Sequence, residues 1–317
     1  MLASGAPEAQ GTGAPVILRR LDPSVEAPKD PQSRDGGCDG PLPFEGPEAN
    51  MGPMAAGPAA GGTAGVALMR GVPPTLERCE LTYRDFEPID LHRAIAQHAA
   101  YAGLLRSLGL EVIELPADPA LPDCCFVEDT AIVLDEAALL AMPGAPSRRG
   151  EVAAVEAALA PFRPLDRTPF PATLEGGDVL RVGRRLFVGR SARTNEAGIA
   201  RLAAFAEPLG YRVLPVAVVG CLHLKSAVTA LDDERVLANP SWVEMSAFAG
   251  LGVVPVAPEE PDAANILRVG GLVVAHPGFP RTLDRLSELG YAVHPLDVSE
   301  FLKAEAALTC KSLLFRA

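Results

Sequence analysis

One pattern recurs along this chain: an amphipathic helix that ends in Leu-Gly, or a near equivalent, and runs at once into a strand. The copies are LLRSLG-LEVIEL (104–115), ALAPF-RPLD (158–166), FAEPLG-YRVLPV (205–216), AFAGLG-VVPVA (247–257) and RLSELG-YAVHPL (285–296). Glycine just past a helix end supplies the left-handed cap, and Gly109, Gly210, Gly252 and Gly290 occupy that place. The copies recur at roughly 40- to 50-residue intervals, the spacing of a repeat architecture. Four of the helices follow a hairpin pattern, two apolar runs around a short polar turn: TAIVL-DE-AALLAM (130–142), DVLRV-GR-RLFVG (178–189), AVTAL-DDE-RVLA (227–238) and ILRV-GG-LVVAH (266–276). Gly183-Arg184 and Gly270-Gly271 suit tight turns. The fifth hairpin is split: LTCKSLLF (308–315) would have to pair with GVALM (65–69). Such pairing closes a circle and leaves no exposed strand edge. The predicted unit is therefore β-β-α-β, five times about an axis, a five-bladed α/β propeller with pseudo-fivefold symmetry. An open α/β sheet with the same element list is the competing fold.

The pattern starts only near Gly65. Residues 1–64 are rich in Gly, Pro, Ala and Asp and nearly without periodicity, so they bury too little apolar area to offset the entropy of ordering. They are expected to be a disordered tail, or the product of a mis-assigned start with Met51, Met54 or Met69 as the true one; residues 65–317 are expected to form a single domain. The net charge of -12 disfavours nucleic acid, because phosphate binding needs a basic surface. Six cysteines without regular spacing in 317 residues make no disulfide framework. They read as reduced thiols of a cytoplasmic protein. No apolar run approaches the ~20 residues of a membrane span, and the start lacks the basic and apolar stretches of a secretory signal. Neither a membrane nor a nucleic acid is an expected partner.

Reactive side chains fall at one place in the repeat, just before or at the start of a hairpin. These are Asp123 and Glu128-Asp129, then Glu175-Gly176-Gly177-Asp178, then His223, then Asp262 and Asn265, then Cys310. In a closed propeller equivalent positions meet near the axis, so groups distant in sequence would converge. Taken singly, Cys310 in an apolar run reads as an inert packed thiol, His223 between two leucines as a core histidine, and the acidic clusters as solvated loops or turns. Their common repeat position favours a site.

The segments LPDCCFVEDTAIV (121–133), MPGAPSRRGEV (142–152), LEGGDVLRVGRRLFVGRSARTNEAG (174–198), LHLKS (222–226) and LTC (308–310) resemble dimethylarginine dimethylaminohydrolases. These belong to the guanidino-group-modifying superfamily with the five-bladed pentein fold. The similarity covers about residues 66–315, with the motifs in the family's order. The resemblance implies Cys310 as nucleophile, His223 as general acid/base and Glu175 as the acid supporting that histidine. It makes Asp123, Glu128 and Asp129 the carboxylates gripping the guanidinium, and Arg148 and Arg193 the arginines holding the amino-acid end. Leu81 aligns with an apolar contact on a mobile lid, and Ala304 with a backbone carbonyl near the substrate amine. Lys311 stands where some relatives carry a second cysteine. The implied substrate is a small molecule, a methylated arginine; a homodimer is compatible with the resemblance, and no cofactor or metal is implied.

The residue types suit that chemistry. A guanidinium carbon is a poor electrophile, and a free thiol is mostly protonated near neutral pH. Either the substrate cation favours the thiolate on arrival, or His223 takes the proton; the sequence leaves both open. Paired carboxylates match planar guanidinium donors, and arginine forks match a carboxylate. His223 would protonate the departing amine and then activate water. Arginine deiminase uses the same residue types, but its usual helical insertion has no room in this core; an amidinotransferase is disfavoured on length. A non-catalytic propeller module would not need Cys310, His223 and Glu175 together.

Overall fold

The computed structural model describes residues 65–317; the tail expected over residues 1–64 lies outside the described residues. The ordered elements run in chain order as β1 (Gly65–Arg70), α1 (Leu91–Ser107), β2 (Glu111–Leu115), β3 (Ala131–Val133), β4 (Ala138–Leu140), α2 (Val152–Leu159), β5 (Leu165–Arg167), β6 (Val179–Val182), β7 (Arg185–Arg190), α3 (Glu196–Ala206) and β8 (Arg212–Ala217). There follow α4 (Leu224–Ala227), β9 (Val228–Ala230), β10 (Arg235–Ala238), β11 (Gly252–Pro255), β12 (Leu267–Val269), β13 (Leu272–Ala275), α5 (Pro280–Glu288), β14 (Ala292–Pro295), α6 (Ser299–Leu302) and β15 (Leu313–Arg316).

These strands make five three-stranded sheets, ordered β3-β4-β5, β6-β7-β8, β9-β10-β11, β12-β13-β14 and β15-β1-β2. In each, the middle strand pairs antiparallel with the first and parallel with the third. The split hairpin closes as expected, with Gly65 opposite Arg316 and Leu68 opposite Leu313. Every middle strand reads as an unbroken apolar run because both of its faces are buried. Alternate side chains enter opposite seams: Leu186 and Val188 pack with the β3-β4 hairpin, whereas Phe187 packs with the β9-β10 hairpin. Val273 and Val274 split in the same way, as do Leu68 and Met69. Five apolar seams thus join each blade to the next around the ring, and no single central core exists.

The blade β9-β10-β11 differs from the sequence expectation. Its link from β10 to β11 holds a single 3-10 turn, Met245–Phe248, in place of an α-helix. The left-handed glycine is Gly250, at φ 86°, and the expected cap Gly252 is already the first residue of β11. The link opens Asn239-Pro240, and proline denies a helix interior its donor. One aromatic anchor suffices there: Phe248 stacks on Phe187 at 4.7 Å between ring centroids. Elsewhere Gly109, Gly210 and Gly290 do hold positive φ after their helices, and Gly183 and Gly270 in the tight turns.

One helical turn precedes each hairpin: Val127–Thr130, Gly176–Asp178, α4, Pro261–Ala264 and Thr309–Lys311. Each turn lies at or beside the position where the sequence placed a reactive group, and side-chain hydrogen bonds run from turn to turn around the axis. Asn265 Nδ2 donates to Thr309 Oγ1 at 3.0 Å and to the Lys225 carbonyl at 3.0 Å, and Thr309 Oγ1 donates to Glu128 Oε2 at 2.7 Å.

Candidate active site

The turn Gly176–Asp178 shows how tightly this ring is drawn. A Cβ on Gly176 would lie 2.0 Å from the Glu128 carbonyl oxygen, and one on Gly177 would lie 2.6 Å from His223 Nδ1 and 2.7 Å from Asp129 Oδ1. Only glycine lets these three segments approach. The Gly177 amide uses the contact to donate to Asp129 Oδ1 at 2.9 Å.

His223 stands at the N-terminal boundary of α4, buried, with Nε2 2.6 Å from Glu175 Oε2 and 3.9 Å from Asp129 Oδ1. Desolvation would lower the imidazole pKa, but the charge of Asp129, the hydrogen bond to Glu175 and the charge of Asp178 raise it to about 9. The resting ring is therefore an imidazolium. Glu175 is fully buried, with Oε1 accepting from the Gly144 amide at 2.9 Å. Burial alone would raise its pKa; His223 outweighs that and holds it below the usual carboxylate range.

Asp129 is brought down to about 2 against its own burial by His223, Arg148 and the Gly177 amide. Its Oδ2 accepts from Arg148 Nη1 at 2.7 Å. Every nitrogen of Arg148 has a partner: Nε and Nη2 bond both oxygens of Glu151 at 3.1 and 2.9 Å, and Nη2 also reaches the Phe126 carbonyl at 3.1 Å. Arg193 differs. Its Nη2 donates to Thr82 Oγ1 at 3.2 Å, while Nη1 is buried without a hydrogen bond, its near carboxylate oxygen being Glu175 Oε1 at 3.7 Å.

Cys310 sits in the turn Thr309–Lys311, partly buried, its Sγ accepting from the Ala307 amide at 3.5 Å. Burial and the charges of Glu128 and Asp129 push the thiol up to about 12, so it is protonated at rest. It lies where two cavities meet. One is a small chamber of about 10 Å³, whose walls include Asp123, Asp129, Arg148, Arg193, His223, Ala304, Glu305 and Cys310. The other is an open vestibule of about 290 Å³ that adds Tyr83, Trp242, Asp262 and Asn265.

Of the ten residues named from sequence, the structure gathers Cys310, His223, Asp123, Asp129, Arg148, Arg193 and Ala304 on the chamber wall, with Glu175 behind His223. Glu128 is not on that wall. It faces a cavity on the other side of the turns, where Lys225 Nζ and Thr309 Oγ1 hold its oxygens. Leu81 is half-buried and lines neither chamber nor vestibule. Asp123 spends both oxygens on the Glu80 amide, at 3.3 and 3.2 Å, and burial raises it to about 6. Sequence reading passed over Glu151, Thr82 and Glu305. Nothing local marks them; Glu305 precedes Cys310 by five residues and acquires meaning only once the chain has folded.

Asp129, Glu175 and His223 present three ligand atoms within 4.8 Å of one another. The Arg148 guanidinium beside them and the imidazolium among them already supply the positive charge a metal would bring. The group reads as an ion-pair triad.

A family profile described as "N,N dimethylarginine dimethylhydrolase, eukaryotic" matches residues 83–226. A protein named N(G),N(G)-dimethylarginine dimethylaminohydrolase, from Streptomyces coelicolor, is 41% identical over 253 residues, spanning 79% of this chain and 96% of the relative. This chain belongs to the dimethylarginine dimethylaminohydrolase family. A family member from Pseudomonas aeruginosa is 35% identical, over 71% of this chain and 90% of its own length. The solved structure of the Pseudomonas aeruginosa enzyme, a cysteine-to-serine variant complexed with citrulline, superposes with a TM-score of 0.76 at 32% identity, covering 80% of this chain and all of that one. The N-terminal domain of a cyanobacterial arginine dihydrolase, 20% identical with a TM-score of 0.72, shares the five-bladed fold.

Proposed function

We propose that this protein hydrolyses Nω-methylated arginine to citrulline and the corresponding methylamine through a covalent adduct on Cys310. The observation that carries this reading is the small chamber whose wall brings together a thiol, an imidazolium backed by a carboxylate, a fully ionised Asp129 and an incompletely bonded Arg193.

The resting charges favour one route to the nucleophile. A thiol held at about 12 beside an imidazolium held at about 9 cannot pass its proton to that ring. An arriving guanidinium cation, gripped by Asp129, offsets the negative potential of Asp129 and Glu128 and makes the thiolate accessible; the thiol proton leaves to solvent. The sulfur attacks the guanidinium carbon. His223 then gives its proton to the amine nitrogen as the carbon–nitrogen bond breaks, leaving an S-alkylthiouronium. Neutral His223 takes a proton from water, hydroxide adds to the carbon, and the carbon–sulfur bond breaks to release citrulline and restore Cys310. Glu175 keeps the ring oriented and stabilises its charged form throughout. Arg193 takes the substrate carboxylate, while Arg148, each of whose nitrogens already has a partner, serves chiefly to hold Asp129. Glu128, bonded to Lys225 and Thr309, acts from behind the chamber.

Purified protein incubated with dimethylarginine, monomethylarginine and arginine, with citrulline assayed for each, tests the reading. Turnover of the methylated substrates that disappears in Cys310→Ser is the expected result. Turnover of arginine alone would make the chain a deiminase, and retained turnover in Cys310→Ser would end the covalent mechanism. Among the described residues no helix is long and apolar enough to cross a membrane. Their five cysteines are all unpaired thiols, which supports a reducing compartment, the cytoplasm.

A further inference from the structure

Among the described residues, Glu305 is the non-glycine residue with positive φ, at 54°. An L residue enters that region at a cost that the surrounding structure must impose, and such positions cluster at functional sites. Glu305 lines both the small chamber and the vestibule. Its Oε1 accepts the consecutive main-chain N–H groups of Thr82, Tyr83 and Arg84, the first at 3.0 Å. This pins the segment between β1 and α1 over the site, aided by an Arg84–Asp262 ion pair at 2.6 Å. The other half of the carboxylate is not engaged in this way, since Oε2 is buried and makes no hydrogen bond. A buried acceptor left unmatched is disfavoured, all the more when it is charged.

Arg193, on the same chamber wall, shows the complementary pattern. Its Nη1 is buried without a hydrogen bond, and its Nη2 holds the Thr82 hydroxyl. One incompletely bonded cation and one incompletely bonded anion therefore share a chamber, and both are tied to the same residue, Thr82, by hydroxyl and by amide. The head of an amino acid carries a carboxylate and an ammonium on a single carbon, which is the complement of that pair. The guanidinium end has its own anion in Asp129, beside His223.

We propose that Glu305 is a substrate-binding residue whose free carboxylate oxygen takes the α-ammonium while Arg193 takes the α-carboxylate. This rests on the reading that the substrate is a methylated arginine. The same side chain then binds the head of the substrate and holds residues 82–84 closed above it, so recognition of the amino group and closure of the chamber are one event.

The test is a binding cycle on the full chain carrying Cys310→Ser, titrated calorimetrically with dimethylarginine and with its des-amino counterpart, a dimethylguanidino-pentanoate. Each ligand is measured with Glu305 and with Glu305→Gln, which keeps a carbonyl oxygen for the three amides and loses the charge. With Glu305 present, removing the α-ammonium should weaken binding by roughly thirtyfold or more, the scale of a buried charge pair losing one partner. In Glu305→Gln the two ligands should bind within a few-fold of each other. Equal weakening of both ligands by Glu305→Gln would overturn the proposal and leave Glu305 acting only through residues 82–84. Should the glutamine variant fail to fold, Glu305→Asn repeats the cycle with a residue that tolerates positive φ. Dimethylarginine that neither binds the Cys310→Ser protein nor yields citrulline with the wild type is a separate result, and it removes the proposed function itself.

Discussion

Lys311 follows Cys310 in sequence, yet its chemistry is separate. It is fully buried, with Nζ 4.3 Å from the Tyr101 ring centroid and 4.5 Å from that of Phe301, and makes no hydrogen bond. Two aromatic faces return about 2 kcal/mol to a desolvated cation, less than the several kcal/mol that burying an ammonium costs. Burial therefore wins and brings the amine down to about 7. A folded pKa below the unfolded one means that the cost is fully present below about 7. Stability recovers as pH rises from there toward the unfolded value of 10.5. Lys311→Met should raise the melting temperature at pH 6 and raise it less at pH 10, by ~2–4 °C per kcal/mol for a domain of this size; thermal melts at both pH values check it, and an equal gain at both would contradict it. At the chamber, Asp129→Asn should lower turnover at saturating substrate and raise the Michaelis constant if, as proposed, Asp129 grips the guanidinium as well as sustaining the imidazolium. Arg193→Ala should chiefly raise the Michaelis constant. Arg148→Ala belongs to a third kind. It leaves Asp129 and Glu151 buried without their cation, a change worth about 3–5 kcal/mol of stability, and calorimetric unfolding should register it before kinetics do.

At the scale of elements, the helical turns ahead of the hairpins are where fold and chemistry meet. Glu175-Gly-Gly-Asp is legible in the sequence as a turn before a strand, but not the reason for two glycines. The reason is lateral: the turn must pass the Glu128 carbonyl, His223 and Asp129 at distances no side chain allows. Gly177→Ala should accordingly leave the blade folded while displacing His223 from Glu175, lowering turnover by about tenfold or more, the cost of a misplaced catalytic group. Wild-type turnover in that variant would mean that the ring can shift without loss of catalysis. The helix expected between β10 and β11 fails for a related reason. Ala-Phe-Ala-Gly-Leu-Gly offers two glycines either of which could cap a helix, and packing of Phe248 on Phe187 settled for a single turn ending near Gly250.

At the scale of the whole molecule, stability depends on closing the ring. β15 and β1 come from opposite ends of the described chain and complete one blade, so neither can be trimmed without exposing an edge and opening two seams. A chain beginning at Gly61 should keep full activity and melting temperature, because the first sixty residues lack a core-forming pattern. One beginning at Met69 loses Gly65–Leu68, the residues that pair with β15, and should melt lower and turn over less. A loss of activity from the Gly61 chain would show that the preceding residues contribute. The sequence by itself determined the repeat, the five hairpins, their closure and the place in each unit where reactive groups fall, because helix and strand periodicities and glycine caps are local properties. It also marked Cys310, His223, Glu175 and Asp129. Only the tertiary structure decided which of Arg148 and Arg193 keeps a buried nitrogen without a hydrogen bond, on which side of the turns Glu128 lies, and that Glu305 faces the chamber at all. Those outcomes depend on which charges become neighbours across blades dozens of residues apart, and hydrogen-bond partners chosen at that range leave no trace in the spacing of the chain.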